Sequence, residues 1–152
     1  MDHVSDAAAV ESAAESLQAV LESARVAQSP AIPPTQLRVL IIVDRGAHTN
    51  MNRLAEALDV VPSSASRLCD RLEATGLLRR VPDPRDRREV RLLLTPAARR
   101  LLDDLREARR RALAEVLERM SPSARHDLVR ALGAFDAAAT RGDERGAGLR
   151  TA

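Results

Sequence analysis

A chain of 152 residues, 45% hydrophobic and 30% charged, can bury the core of a single soluble globular domain, and no apolar run approaches the roughly 18 residues of a membrane helix. Its 24 basic and 22 acidic residues leave a net charge of +2, so bulk charge alone does not mark a nucleic-acid binder. Phe135 is the only aromatic residue and Cys69 the only cysteine, which argues against single-strand recognition by base stacking and excludes an internal disulfide or a cysteine metal cluster.

The first thirty residues carry Asp2, Asp6, Glu11, Glu15 and Glu22 against Arg25, a local charge of −4. This acidic start lacks the basic stretch of a secretion signal, so the expected location is the cytoplasm. Val10, Ala13, Ala14, Leu17, Leu21 and Ala24 recur at helical spacing and predict an amphipathic first helix. Proline-rich residues 29–34 break it. Thr35 then suits the N-cap of a second helix over 36–44, stopped by Gly46. Leu37, Leu40 and Ile41 should face inward, with Val39, Ile42 and Val43 widening the apolar surface. Thr49 or Asn50 caps a third helix to about residue 58, burying Leu54, Ala57 and Leu58, with Ala55 small enough for close packing. Residues 59–61 make a tight turn, and Pro62 fits the first turn of a fourth helix that ends at Gly76.

Two strand-length runs, 77–81 and 90–94, flank a charged loop and predict a β-hairpin. Over 79–91 six arginines face Asp83, Asp86 and Glu89, a local charge of +3. Thr95 and Pro96 start a long helix with Leu101, Leu105, Ala108, Ala112, Val116 and Met120 along one face. Ser121 and Pro122 start the last one, carrying Leu128, Leu132, Phe135 and Ala139. The glycine-rich residues 141–152 suggest a disordered tail. The predicted fold class is mainly α with a small β-hairpin wing, a winged helix-turn-helix flanked by N- and C-terminal helices.

In that architecture the second of two tightly linked helices enters the DNA major groove. On the fourth helix, Ala65, Leu68, Cys69 and Leu72 fall on the inward side at 100° per residue. Ser63, Ser64, Arg67, Asp70 and Arg71 fall on the other side or its edges, with Ser66 at a flank. Short hydroxyls near the helix start can serve base edges or phosphates, and Arg67 can reach guanine O6 and N7 together. The expected recognition set is therefore Ser63, Ser64, Ser66, Arg67 and Arg71, with Asp70 holding Arg67 or Arg71 as an ion-pair neighbour.

The segments QLRVL (36–40), LAEAL (54–58), PSSASRLCDRLE (62–73) and GLLRR (76–80) resemble the MarR family of bacterial transcriptional regulators. The wing DPRDRR (83–88) and the Leu94-Thr95 that ends the hairpin extend the resemblance over about sixty residues. A departure is Ala98, where these proteins often carry glycine; alanine is compatible with a helix there. Asp83 and Asp86 are expected to position the wing by pairing with Arg85 or Arg88. The DNA-contacting wing set is Arg85, Arg87 and Arg88. The resemblance implies that one wing arginine enters a minor groove, whose narrow A·T-rich stretches have the most negative potential; Arg87 and Arg88 remain equal candidates.

The resemblance also implies an organisation. Residues 1–34 form part of a dimerisation region, 35–95 the DNA-binding domain, 96–140 the C-terminal dimerisation helices, and 141–152 the tail. A homodimer would read a pseudo-palindromic stretch of double-stranded DNA, acting most simply as a repressor of its own or neighbouring genes. A small-molecule inducer is a further implied partner, although the chain offers no aromatic side chain there to stack on one. The alternative is a winged-helix module that contacts another protein and does not read DNA. His3, His48 and His126 are scattered, so neither a metal nor another cofactor is expected. No nucleophilic motif or Gly-rich phosphate loop suggests an enzyme.

Overall fold

Four of the helices among the described residues begin on a proline, whose fixed φ and missing N–H suit a first helical turn. The structure, a computed structural model, describes residues 3–27, 31–46 and 48–148. In chain order the elements are α1 (His3–Val26), α2 (Pro34–Arg45), α3 (Met51–Leu58), α4 (Pro62–Ala74), β1 (Leu78–Pro82), β2 (Val90–Leu94), α5 (Pro96–Glu118) and α6 (Pro122–Gly148). They fall into two compact units, residues 1–110 and 111–152.

The core of the first unit is aliphatic. Leu40, Leu54, Leu72, Leu78 and Leu105 are its largest fully buried side chains, joined by Val39 and Cys69. Helix α2 contributes Leu37, Val39, Leu40 and Val43, so its deepest residues include two valines and Ile41 stays only half-buried. It starts on Pro34 with Pro33 as the N-cap and no side-chain cap. The expected Thr35 cap is thus corrected, because a proline at the first position begins the helix one residue earlier. Where α2 ends, a Cβ on Gly46 would stand 2.2 Å from Thr49 Oγ1, which leaves room only for glycine.

Asn50 caps α3 by accepting the Arg53 N–H at 2.9 Å. The buried face of α3 is Leu54, Ala55 and Leu58; Ala57, expected inside, is exposed. Asp59 takes the left-handed conformation at φ 55° and closes the turn. After α4, Gly76 at φ 72° ends the helix in the αL geometry that glycine adopts at least cost. The hairpin is antiparallel, pairing Leu78 with Leu94 through to Pro82 with Val90. Asn50 adds a single bridge to Arg91 on the outer edge of β2, and the Leu92 N–H donates to the Thr49 carbonyl at 2.9 Å. Thr95 ties the next junction. Its hydroxyl donates to the Gly76 carbonyl at 2.7 Å and accepts the Ala98 N–H of α5.

Within the first unit α5 buries Ala98, Leu102 and Leu105. Leu105 is buried as expected, whereas Leu101, also expected inward, is only half-buried and its neighbour Leu102 is buried instead, so the face is turned by a fraction of one residue from the expectation. In the second unit, Ser121 caps α6 by accepting the Ala124 N–H. That helix continues through Gly148, so the backbone is helical over 141–148 where the sequence suggests a disordered tail; residues 149–152 lie outside the described residues. No side chain described between 111 and 140 is buried.

Cys69 lies on the inward side of α4 at zero exposure. Burial pushes its thiol up to about 11, outweighing the lowering by the nearby Arg80 charge.

Two measurements follow from this packing. Leu102→Ala should cost about 2–5 kcal/mol in denaturant unfolding and Leu101→Ala much less; equal costs would refute the rotated face. The alkaline limb of stability isolates Cys69, because the chain contains neither lysine nor tyrosine. The unfolded thiol ionises near its ordinary value of 9.0 and the folded one at about 11, so across that window the unfolded state binds fewer protons. Stability should be full below about pH 9 and fall as pH rises toward 11. The fall should vanish in Cys69→Ala, and a wild-type curve flat over this range would mean a solvent-exposed thiol.

Candidate nucleic-acid interface

The outer face of α4 presents Ser63, Arg67 and Arg71, all exposed, with Ser64 half-buried beside them. Four-residue spacing turns the helix by only 40°, so Ser63, Arg67 and Arg71 lie in one stripe. Neither guanidinium has a hydrogen bond or ion pair among the described residues. The expected pairing of Asp70 with Arg67 or Arg71 is therefore corrected. Asp70 instead accepts a bond from Arg80 Nη1 of β1 at 2.7 Å.

Arg80, absent from the expected set, is the most heavily bonded side chain near α4. The same Nη1 donates to Glu73 Oε2 at 2.5 Å, and Nη2 donates to both the carbonyl and the hydroxyl of Ser66 at 3.1 Å. The Arg80 backbone N–H adds a bond to Glu73 Oε1 at 3.0 Å. Burial acts against its charge, but its hydrogen bonds to Asp70 and Glu73 and the fields of both carboxylates outweigh it and raise its pKa. A half-buried guanidinium needs such anions more than the hydrated Arg67 and Arg71 do, which is why Asp70 turns toward the strand. Ser66 thus faces the wing at its half-buried flank, with its oxygen already engaged.

At the wing tip the aspartates also act differently from the expectation. Asp83 Oδ1 accepts the backbone N–H of Arg85 at 2.8 Å, and Asp86 Oδ1 accepts that of Arg88 at 2.9 Å. Both are side-chain turns of the kind aspartate forms two residues ahead of itself, and neither carboxylate pairs with a guanidinium. Backbone bonds from Asp83 to Glu89 and from Glu89 to Asp86 complete the loop, each 2.9 Å. The Arg85, Arg87 and Arg88 side chains remain exposed, without an ion pair among the described residues. On the outer side of β2, Asn50 Nδ2 donates to Glu89 Oε2 at 3.2 Å, so one asparagine caps α3 and touches the wing.

Sequence reasoning missed Arg80 and Glu73, and foresaw Asn50 only as a cap of α3, not its contact with the wing. Strand alternation was the available signal for Arg80, which shares a face with the buried Leu78 and so points toward α4. Among the described residues there is no group of three or more His, Cys, Asp or Glu arranged to hold a metal, and no helix long and apolar enough to cross a membrane. The geometry can contact an anionic, regularly spaced ligand along a helix stripe and a hairpin tip.

Known proteins share this arrangement. A sequence model of the MarR family matches residues 32–89. The HTH-type transcriptional repressor MdtR of Bacillus subtilis (strain 168) is 29% identical over 86 residues, covering 57% of this chain and 56% of that protein. The chain thus spans about half the length of the curated relatives it matches. The crystal structure of RV1404 from Mycobacterium tuberculosis is 34% identical with a TM-score of 0.80, over 92% of this chain and 95% of that one. A MarR family protein from Bacillus stearothermophilus shares the fold at 24% identity and a TM-score of 0.76, over 92% and 99% of the two chains. The helix order, the hairpin register and these similarities converge, and the chain belongs to the MarR family of transcriptional regulators.

Proposed function

We propose that this protein is a homodimeric, cytoplasmic repressor that reads a pseudo-palindromic operator upstream of its own or neighbouring genes. Helix α4 enters the major groove with Ser63, Ser64, Arg67 and Arg71, and Arg85, Arg87 and Arg88 of the wing serve the minor groove and the flanking phosphates. The observation that carries this reading is the set of five exposed guanidinia without an ion pair, borne on a helix and a hairpin locked to each other. Guanidinia left unpaired keep their full charge for phosphate, and the counterions released on binding supply affinity. Bidentate approach to guanine then gives Arg67 or Arg71 a means of specificity. Asp83 and Asp86 serve as wing-positioning residues, holding the tip's backbone while leaving its cations uncompensated.

Dimerisation is supported by apolar surface that one chain leaves open. Val10 and Leu17 on α1 are exposed, as are Leu128, Val129, Leu132 and Phe135 on α6. A helix with this much exposed apolar surface gains its stability by packing against something else, and a second copy supplies a self-complementary face. Two copies would set their α4 helices about 34–36 Å apart, one DNA turn. Release by a small-molecule inducer belongs to the same reading. A groove between α1 and α5, lined by Glu15, Gln18, Ala19, Leu21, Glu22 and Arg109, offers aliphatic contact beside charged and hydrogen-bonding groups and no ring to stack on.

The test is binding of the purified protein to the DNA immediately upstream of its own coding sequence, over a salt series. Binding should exceed that to random DNA by at least about a thousandfold and weaken steeply with salt. Replacing Arg87 and Arg88 together by alanine should reduce affinity about tenfold or more and flatten the salt slope, with thermal stability kept. An unchanged affinity in that variant would refute the wing assignment. Sedimentation should report a dimer, and Leu132→Asp with Phe135→Asp should convert it to monomers; a wild-type monomer would remove the two-fold reading.

A further inference from the structure

A winged helix-turn-helix has two reading elements, and nothing in its connectivity alone fixes one against the other. Residues 75–77 link α4 to β1, and a three-residue hinge permits the hairpin to pivot. Leu78, Leu92 and Leu94 bury the base of the hairpin in the core, and Arg80 adds the side-chain hold that ties the strand directly to the polar flank of α4. Arg80 sits on β1 two residues before the strand ends at Pro82. Its guanidinium reaches three residues of α4, namely Ser66, Asp70 and Glu73, on two successive turns of that helix.

The chemistry of the clamp is specific. A guanidinium is a planar fork whose two outer nitrogens point in fixed directions, so bonds from both outer nitrogens fix orientation as well as distance. Nη1 spans Asp70 and Glu73, and Nη2 takes the Ser66 carbonyl and hydroxyl. The Arg80 backbone N–H on Glu73 adds a contact that holds the strand itself and not only its side chain. A lysine could neutralise the carboxylates but would act as a single rotatable point charge. The clamp also decides the electrostatics of the reading face. Residues 62–74 carry Arg67 and Arg71 against Asp70 and Glu73, a sum of zero, and Arg80 brings the local sum to +1. Without it two carboxylates would stand uncompensated beside the helix that approaches phosphate.

We infer that Arg80 is a positioning residue for DNA reading: it fixes the wing to α4 so that the major-groove stripe and the wing arginines engage the duplex in one rigid register. This rests on the DNA-reading function proposed above. Affinity from the wing then depends on Arg80, because wing arginines on a pivoting hairpin spend binding free energy on their own ordering. On the opposite edge the bridge from Asn50 to Arg91, the Thr49 carbonyl on the Leu92 N–H and the exposed Asn50 bond to Glu89 at 3.2 Å hold β2 to the start of α3, so it is Arg80 that orients the hairpin against α4.

The experiment uses the full chain and a duplex that the wild type selects from a random-sequence pool. Four proteins are compared, each checked for thermal unfolding: wild type, Arg80→Lys, the double variant Arg87→Ala with Arg88→Ala, and the triple combination. The wing substitutions should weaken the wild type about tenfold but cost less than about threefold in the Arg80→Lys background. Hydroxyl-radical footprints should show minor-groove protection at the wing site in the wild type and its loss in Arg80→Lys. Glu73→Gln, which keeps Arg80 and removes one anion, should move both readouts in the same direction by a smaller amount and guards against a misfolded Arg80 variant. A purely structural Arg80 would lower the melting temperature yet leave the wing cost at about tenfold and the footprint intact, overturning this role while sparing the DNA-reading function. Failure of the wild type to select any duplex would overturn the DNA-reading function, and this role with it.

Discussion

Helix α2 must be apolar on more than one side, and the remainder of the first unit is arranged by that constraint. Val39 and Leu40, neighbours in sequence, are both fully buried. A helix turns by 100° per residue, so two adjacent buried positions require partners on different flanks. Helices α3 and α4 and strand β2 supply them, each in contact with α2. Burial of a leucine or valine stabilises by roughly 1.5–3 kcal/mol, and the leucines at 40, 54, 72, 78 and 105 bring one such contribution from each of five elements. The polar face of α4 is outward because its other face, Ala65, Cys69 and Leu72, has been claimed by this core. The face proposed for recognition is thus displayed as a consequence of packing.

Charge is allotted by the same logic. Exposed ion pairs contribute about 0–1 kcal/mol each, so pairing the wing arginines with the wing aspartates would gain little stability and lower the tip's field. Asp83 and Asp86 instead accept backbone N–H groups, which makes each carboxylate a scaffold for the turn. Where a cation does leave water, at Arg80, two carboxylates meet it. Asp83 and Asp86 therefore hold backbone while Asp70 and Glu73 hold the half-buried Arg80 guanidinium, and the Arg67, Arg71, Arg85, Arg87 and Arg88 guanidinia have no ion pair among the described residues.

The winged segment was legible in the sequence because its punctuation is local. Pro62, Gly76, Thr95 with Pro96, and Ser121 with Pro122 act through their own φ angles and caps, and the structure uses each one at or within a residue of its predicted position. What periodicity could not decide was phase. Leu101 and Leu102 are adjacent, and either register gives α5 a plausible stripe; the contact with the winged core selects Ala98, Leu102 and Leu105. Alanine carries little phase information, so Ala55 and Ala57 were exchanged. Asp70 was misassigned for a different reason. Helical spacing offers it Arg67 and Arg71, while its partner Arg80 comes from the next element, ten residues on, and such a contact has no signature in helical period. The habit of aspartate to bond the N–H two residues ahead was readable at Asp83 and Asp86, but the abundance of arginine directed attention to charge instead of backbone.

The second unit imposes the last requirement. Residues 111–140 contain no buried side chain among those described, yet α6 spans Pro122–Gly148. Isolated helices are marginal in water, and most helical stability in proteins comes from packing an amphipathic face. Leu128, Leu132 and Phe135 lie on such a face, with Val129 beside them. If a second copy covers it, as proposed, assembly and helix order become one equilibrium, and stability depends on protomer concentration. DNA reading would inherit that dependence, since a lone chain offers one α4 stripe and one wing, half the phosphate contacts of a two-fold pair. The salt slope scales with contacts neutralised, so halving them weakens binding by a factor that multiplies across every site. A regulator built this way is switched as effectively through its helical arms as through its reading face.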